Sequence, residues 1–188
     1  MWRVSDVEAV LVEAWPAVLR TARLVLRPVS ETDIPMVRQL LTDAEVRRFL
    51  GGAVAHDRLD ARARSYLGRS GVWVVVLDGR GVGLAVLGAD HRVEGRAELS
   101  YQLLPSVWGA GVGRESVTAV LGWWQERVLR PALVVAVTQQ ANVASCRVLE
   151  AVGMVRVDTV VEYGALQCVY ALAASEGAAG STVAGTPV

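Results

Sequence analysis

Apolar residues recur at two different spacings along this chain, and the two spacings predict a succession of helices and strands. Between residues 4 and 20 they recur every three or four positions, which is typical of a helix, and Pro16 is expected to bend or end it. Between residues 22 and 28, Leu24 and Leu26 alternate with the residues beside them, as in a strand that buries one face. The chain therefore opens with a helix followed by a strand.

Further helices and strands follow by the same criteria. Asp78 and Gly79 lie between two apolar runs, and an Asp-Gly pair in that position predicts a hairpin. Residues 51–57 are predicted to form a loop. The predicted helices are 34–41 after the capping residue Ser30, a short helix after Asp43, 58–69, 112–128, and 142–151, which Gly153 closes. The predicted strands are 72–77, 82–87, 96–104, 133–138, 154–161 and 167–172.

The composition is that of one globular domain. The 188-residue chain is 53% hydrophobic, which is enough for a sizeable core, and its net charge of zero gives no indication of a nucleic-acid partner. Cys146 and Cys168 do not form the pattern of a disulfide framework or a zinc site. His56 and His91 lie far apart in the chain and are interpreted as loop residues, so no metal is expected.

The two ends of the chain set the expected domain boundaries. Acidic residues interrupt any signal-peptide core within residues 1–20, and the longest apolar runs are too short to cross a bilayer. A cytoplasmic location without membrane contact is therefore expected. Residues 1–20 are assigned to an N-terminal helical extension, 21–173 to the main domain, and 174–188, which are small and polar, to a disordered tail.

The most informative motif is the glycine-rich segment 107–114, V-W-G-A-G-V-G-R, which follows a predicted strand and opens a predicted helix. Backbone N–H groups at such a turn attract an anion, most often a phosphate. A mononucleotide P-loop would need Lys and then Ser or Thr after Gly113, where this chain has Arg114 and Glu115. A dinucleotide fingerprint would need a third glycine that is absent. A loop for the pyrophosphate of coenzyme A and a turn without a ligand both stay open.

Two further motifs give these glycines a family context. Residues 142–154 read N-V-A-S-C-R-V-L-E-A-V-G-M, and residues 21–33 read T-A-R-L-V-L-R-P-V-S-E-T-D. In their order and spacing, the three segments resemble the GNAT superfamily of acyl-CoA N-acyltransferases. Within it they are most similar to the ribosomal-protein N-acetyltransferase (RimJ/RimL-like) branch. The resemblance covers about residues 21–172.

The resemblance implies a fold and an activity. The fold is α/β (α+β), with a mixed, mostly antiparallel central sheet, helices on both faces and a cofactor cleft between two parallel strands. The activity is transfer of an acetyl group from acetyl-CoA to a primary amine, by direct attack in a ternary complex and without a metal. The acceptor is a protein N-terminal α-amine or a small-molecule amine. An aminoglycoside, another antibiotic or a polyamine stays open as the alternative acceptor.

The resemblance also assigns residues to coenzyme A. The N–H groups of the glycine segment would surround the pyrophosphate, and the end of the preceding strand would bind the pantetheine. The implied cofactor-binding residues are Gln102, Leu103, Leu104, Trp108, Gly109, Ala110, Gly111, Val112, Gly113, Arg114, Asn142 and Ser145. Core packing is an equal alternative for Trp108. For Asn142 and Ser145 the alternatives are a helix cap and an ordinary residue of the first turn.

Three residues are candidates for catalysis. Glu98 lies on the predicted strand that leads into the glycine segment and could accept a proton from the ammonium group of the acceptor. A solvated Glu98 paired with Arg96 or a neighbour is the alternative. Many members of the superfamily carry a tyrosine acid seven residues after the asparagine, where this chain has Leu149. Ser145, Tyr101 or a water would then protonate the leaving thiolate.

The acceptor site is less defined by the sequence. Residues 44–66 and 158–166 would form its walls in this fold. The acidic residues that could attract a cationic amine are Asp43, Glu45, Asp57, Asp60, Asp158 and Glu162. The N-terminal helix either packs on the domain, which is favoured, or makes a contact in a homodimer. A non-catalytic acyl-CoA sensor and a scaffold subunit stay open as functions of another class.

Overall fold

The computed structural model describes residues 4–127 and 133–172, and within these ranges one sheet contains all the strands, ordered β1-β2-β3-β4-β5-β6-β8-β7. The strands are β1 (Leu19–Arg20), β2 (Leu24–Pro28), β3 (Val72–Leu77), β4 (Arg80–Ala89), β5 (Ala97–Leu103), β6 (Val134–Gln139), β7 (Val155–Glu162) and β8 (Ala165–Leu172). The helices are α1 (Val4–Glu13), α2 (Ile34–Thr42), α3 (Ala44–Arg47), α4 (His56–Arg64), α5 (Val112–Arg127) and α6 (Val143–Ala151). Short 3-10 helices form at Glu31–Asp33 and Pro105–Val107.

Neighbouring strands of the sheet are antiparallel, except for β5 and β6. The predicted hairpin joins β3 to β4, and its residues Asp78 and Gly79 have φ angles of 49° and 76°, as a type I′ turn requires. β5 and β6 are parallel because the chain crosses between them through α5. The predicted mixed, mostly antiparallel sheet is therefore confirmed.

Helices cover both faces of the sheet, because successive residues of a strand point to opposite faces. In β3, the buried Val75 packs in one cluster with Trp124 of α5. Its neighbour Val74 packs in a second cluster with Leu40 of α2 and Leu59 of α4. The predicted arrangement of helices on two faces is confirmed.

The N-terminal segment differs from its prediction. α1 ends at Glu13, in line with the expectation that Pro16 bends or ends the helix, because Pro16 has no N–H group to continue the helical hydrogen bonds. The short strand Leu19–Arg20, which pairs with β2, was not predicted. Val7 and Leu11 of α1 are buried in the core, so this helix packs on the domain as the sequence favoured.

Other element boundaries shift by a few residues. α4 begins at His56 and ends at Arg64, so the predicted loop 51–57 was too long and His56 is a helix residue. The end of the helix predicted to reach residue 128 and the predicted tail 174–188 lie outside the described residues. None of the helices in the described ranges combines the length and the hydropathy that crossing a membrane requires.

Candidate active site

β5 and β6 lie side by side at only two residue pairs. Ala97 pairs with Val134 and Glu98 pairs with Val135, and beyond these pairs the two strands separate. β5 stays paired with β4 as far as Leu103, and β6 stays paired with β8 along its length. Each strand keeps its outer neighbour, so the separation opens a cleft within the sheet. The predicted cleft between two parallel strands is present.

The glycine segment after β5 forms a turn with a run of unpaired N–H groups. Gly109 and Gly111 have φ angles of 73° and 79°, which residues with a Cβ rarely adopt. α5 begins at Val112, so the first N–H groups of the helix have no acceptor within it. No described residue accepts a hydrogen bond from the N–H groups of residues 109–114. These groups are called the nest below, and unpaired N–H groups at a helix N-terminus are the kind that can bind an anion.

Trp108 joins the nest to the end of β5. Its side chain is 48% exposed, so the alternative of core packing is wrong. Its Nε1 donates a hydrogen bond to the carbonyl oxygen of Leu103 at 2.9 Å, and the N–H of Leu104 donates to the carbonyl oxygen of Val82 at 2.9 Å. In contrast, the side-chain Oε1 of Gln102 is buried and accepts no hydrogen bond from the described residues. Among the strand residues assigned to pantetheine, Gln102 therefore keeps a free polar atom.

Arg23 and Glu115, to which sequence reasoning gave no role in the site, bind each other beside the nest. The Nε of Arg23 donates to Oε2 of Glu115 at 2.8 Å, and its NH1 donates to the carbonyl oxygen of Ala110 at 3.1 Å. The hydroxyl of Thr21 also donates to Glu115, at 2.5 Å. Arg23 and Glu115 are 92 residues apart, so no motif or helical spacing relates them.

Asn142, Ser145 and Tyr101 form a connected group at the start of α6. The side chain of Asn142 accepts a hydrogen bond from the N–H of Ser145 at 3.2 Å, so its predicted role as a helix cap is confirmed. The hydroxyl oxygens of Ser145 and Tyr101 are 3.0 Å apart and hydrogen-bonded. Burial raises the pKa of Tyr101 above its usual value, although the Ser145 hydrogen bond acts in the other direction. Tyr101 thus keeps its proton, whereas Leu149, at the position of the usual tyrosine acid, is a buried core residue.

A pocket of about 400 Å³ contains Glu98 and the part of β6 that has separated from β5. Phe49, Leu50 and Gly51, in the segment after α3, line one side of it. Residues of the β7–β8 hairpin, including Glu162, line another side. The two segments predicted to wall the acceptor site, 44–66 and 158–166, therefore both reach this pocket.

Glu98 contacts an arginine and a histidine within the pocket. Its Oε1 lies 2.9 Å from NH2 of Arg92, and its Oε2 lies 3.5 Å from Nδ1 of His91. Arg92 also reaches Oε2 of Glu162 at 3.5 Å, so the guanidinium bridges two pocket carboxylates. The alternative of a Glu98 paired with Arg96 or a neighbour is met by the neighbour Arg92 in the β4–β5 loop, whereas Arg96 pairs with Asp90. His91 is a loop residue as predicted, but it also contacts Glu98.

Asp90, His91 and Glu98 each have a ligand atom within 4.8 Å of the others, a spacing that a metal ion could bridge. Two arginines already pair with these carboxylates. Asp90 is buried and binds NH2 of Arg96 at 2.7 Å, and Arg92 lies against both acids. We interpret the group as an ion-pair cluster that positions Glu98, and the absence of a metal stays a prediction.

Of the acidic residues expected to attract an amine, Glu162 lines the pocket. Asp43 instead caps α3 by accepting hydrogen bonds from two backbone N–H groups, and Asp60 pairs with Arg38 at 3.1 Å. The others, Glu45, Asp57 and Asp158, do not line this pocket. The carboxylates of the pocket are thus Glu98, which the sequence singled out as a base, and Glu162.

A family model described as an acetyltransferase (GNAT) domain matches residues 23–155, which is more than half of the chain. This chain belongs to the GNAT acetyltransferase family. Acetyl-CoA is therefore its co-substrate and an N-acetyltransferase its class of enzyme, and the predicted GNAT fold is confirmed.

Solved structures agree on the fold of this GNAT acetyltransferase. A GNAT-family acetyltransferase from Bacillus anthracis is 20% identical with a TM-score of 0.75, covering 85% of this chain and 100% of its own. A spermidine N-acetyltransferase from Vibrio cholerae, in complex with CoA and spermine, is 16% identical with a TM-score of 0.70 (82% and 98% covered). RimL, a ribosomal L7/L12 α-N-protein acetyltransferase, is 17% identical with a TM-score of 0.70 (84% and 94% covered). At these identities the fold is shared, and the acceptor differs among the proteins that share it.

Proposed function

We propose that this chain transfers the acetyl group of acetyl-CoA to a primary amine by direct attack in a ternary complex. The observation that carries the proposal is the separation of β5 from β6 after Glu98 and Val135. The nest follows the far end of β5, and the acidic pocket contains the start of the separation. A donor bound along the separated strand would thus meet an amine that enters from the pocket.

Acetyl-CoA supplies the activated acyl group, and the residues of the chain divide the remaining tasks. The nest would bind the diphosphate through its N–H groups, and the free Oε1 of Gln102 offers an acceptor to the pantetheine. Glu98 would take a proton from the ammonium group, directly or through water, so that the neutral amine can attack the thioester carbon. As the C–N bond forms, the C–S bond breaks. The hydroxyl of Tyr101, relayed by Ser145, would then protonate the thiolate, and the proton that the nitrogen loses as it becomes the amide would restore the phenol.

The proposed acceptor is a cationic primary amine, either a protein N-terminal α-amine or a small-molecule amine. Glu98 and Glu162 give the pocket two carboxylates, which attract an ammonium group. A polyamine is the second candidate, because two carboxylates in one pocket also suit an acceptor with more than one positive charge. Membership of the ribosomal-protein branch and a cytoplasmic location belong to the same proposal.

A thiol-release assay with a panel of amines tests the proposal. We expect CoA to be released with at least one of three groups of acceptors, which are ribosomal N-terminal peptides, polyamines and aminoglycosides. Binding of acetyl-CoA without thiol release from any amine would contradict catalysis and favour an acyl-CoA sensor. Failure to bind acetyl-CoA at millimolar concentration would instead favour a scaffold subunit.

Replacing Tyr101 by phenylalanine tests the proton donor. We expect kcat to fall about 100-fold, at the lower end of what a positioned acid contributes, with little change in the KM for acetyl-CoA. Because burial raises the pKa of Tyr101, the wild-type phenol stays protonated beyond the usual range of tyrosine, and its ionisation should not limit kcat below about pH 10. The kcat of each variant is measured across pH.

Tyr66→Phe is the matched control for this substitution. Tyr66 is also buried, but it packs with α2 and α4 on the other face of the sheet, and its loss of a hydroxyl should leave kcat unchanged. Ser145→Ala removes the hydroxyl through which Tyr101 would act, and it should lower kcat by a similar factor. An unaltered kcat in Tyr101→Phe would exclude this hydroxyl as the acid.

A further inference from the structure

The nest has a negatively charged neighbour. Glu115 lies in the first turn of α5, directly after the free N–H groups. A carboxylate in the first turn stabilises a helix on its own, but it repels an anion that binds at the same helix end. The hydrogen bond from Thr21 and those from Arg23 hold the pKa of Glu115 below its usual value, so its charge persists at neutral pH. A diphosphate in the nest would meet this charge unless another group neutralises it.

Arg23 is that group. Its NH2 lies 2.7 Å from Oε2 of Glu115, its Nε donates to the same oxygen at 2.8 Å, and its backbone N–H donates to Oε1 at 3.1 Å. The guanidinium and the carboxylate thus form an ion pair with two nitrogens on one oxygen. The net charge of the pair is zero, and its opposite charges are in direct contact.

The third nitrogen of the same guanidinium contacts the nest itself. NH1 of Arg23 donates to the carbonyl oxygen of Ala110 at 3.1 Å. Ala110 lies between Gly109 and Gly111, the two residues of this turn with positive φ, so its carbonyl direction is tied to the geometry of the whole turn. A Cβ added at Gly111 would lie 3.4 Å from NH2 of Arg23, so the guanidinium packs directly against the loop. Arg23 therefore engages the backbone oxygen of Ala110 while the N–H groups around it stay free.

We propose that Arg23 is a positioning residue for the diphosphate of acetyl-CoA, which fixes the shape of the nest through Ala110 and neutralises Glu115 beside it. This inference rests on the proposed assignment of the nest to the diphosphate. Lysine could not replace arginine fully, because a single ammonium group lacks the planar set of donors that reaches Glu115 and Ala110 together.

The proposal predicts a specific pattern among four variants. Arg23→Ala should raise the KM for acetyl-CoA about tenfold or more, the effect of losing a charge-assisted contact, while kcat and the KM for the amine stay near wild type. Arg23→Lys should retain part of the affinity. Glu115→Gln, which keeps the size of the side chain but removes its charge and one of its two acceptor oxygens, should change the KM less than Arg23→Ala. Arg23→Ala combined with Glu115→Gln should bind acetyl-CoA better than Arg23→Ala alone, because the uncompensated charge is gone.

A second acetyl donor distinguishes the proposed positioning role of Arg23 from a general structural role. S-acetylpantetheine carries the thioester without the diphosphate, so its KM should be the same in wild type and in Arg23→Ala. Arg38→Ala is the matched control, since Arg38 is also a half-exposed arginine in an ion pair, with Asp60, but lies on α2. This control should leave the KM of both donors unchanged. Melting temperatures of all variants are measured alongside.

Each contrary outcome has a distinct meaning. Equal losses with both donors in Arg23→Ala would show a general structural role and overturn the proposal. A double variant that binds acetyl-CoA no better than Arg23→Ala would overturn the neutralisation of Glu115. A wild-type enzyme that uses S-acetylpantetheine as well as acetyl-CoA would refute the nest as the diphosphate site, and the role of Arg23 with it. Thiol release from an amine would still stand in that case, because it does not depend on how the diphosphate is held.

Discussion

Gly111→Glu is expected to abolish measurable binding of acetyl-CoA while the protein stays folded. Gly111 has a φ of 79°, and its N–H belongs to the nest, so a glutamate there changes both the backbone and the charge of the site. A residue with a Cβ in this conformation costs about 1–2 kcal/mol, which most domains tolerate. The added carboxylate would lie beside the diphosphate and repel it. Isothermal titration calorimetry measures the affinity, and circular dichroism checks the fold.

Gly68→Glu is the matched control for this prediction. Gly68 also has a positive φ, of 63°, and no atom lies within 4 Å of a Cβ added to it. It lies before β3, at the end of the sheet opposite the nest, because β3 and β5 run in the same direction and the nest follows β5. Gly68→Glu therefore carries a similar backbone cost and the same charge but should bind acetyl-CoA normally. Unchanged affinity in Gly111→Glu would contradict the assignment of the nest.

Glu98→Gln is expected to lower kcat/KM by about 100-fold at acidic to neutral pH, within the range that a positioned base contributes. The amide keeps the size of the side chain but cannot accept the proton of the ammonium group. At a pH above the pKa of the acceptor amine, about 8 for an α-amine, the amine is already neutral and the variant should approach the wild type. The pH–rate profiles of both proteins are compared with the same acceptor.

Glu162→Gln distinguishes the role of a general base from the effect of the pocket's negative charge on amine binding. Both carboxylates line the pocket and both lie near Arg92, so each substitution removes one negative charge from the same surroundings. Glu162→Gln should raise the KM for a cationic amine but leave the shape of the pH–rate profile unchanged. If Glu98→Gln shows the wild-type profile, or if both variants lose it equally, Glu98 is not the base.

The elements that the sequence predicted well depend on contacts between near neighbours. The hairpin at Asp78 and Gly79 forms because both residues accept positive φ, and Asn142 caps α6 through an N–H three residues away. The alternation of Leu24 and Leu26 likewise predicts the buried face of β2 without reference to other strands. The short strand β1 after Pro16 was not predicted, because it forms by pairing with β2.

Part of the candidate site could be predicted from the sequence, because that part also depends on contacts between near neighbours. The glycine segment and the start of α6 are local, so their residues could be identified from their order and spacing. The ion-pair partner of Glu98 could not be identified from the sequence. The choice between Arg92 and Arg96 depends on how the β4–β5 loop folds back over the strand. The contact between Tyr101 and Ser145 is also set by packing, because it joins β5 to α6 across the cleft.

By itself the sequence determined the family, the succession of helices and strands, and the turn whose N–H groups remain free, because periodicity, capping and glycine conformation act over a few residues. The tertiary structure alone decided that β5 and β6 separate after two residue pairs, that Arg23 reaches Glu115 and Ala110, and that Glu98 and Glu162 share a pocket. These features depend on side chains and strands brought together from distant parts of the chain. Burial and pairing between such distant segments follow from the packing of the whole domain, so local sequence patterns do not predict them.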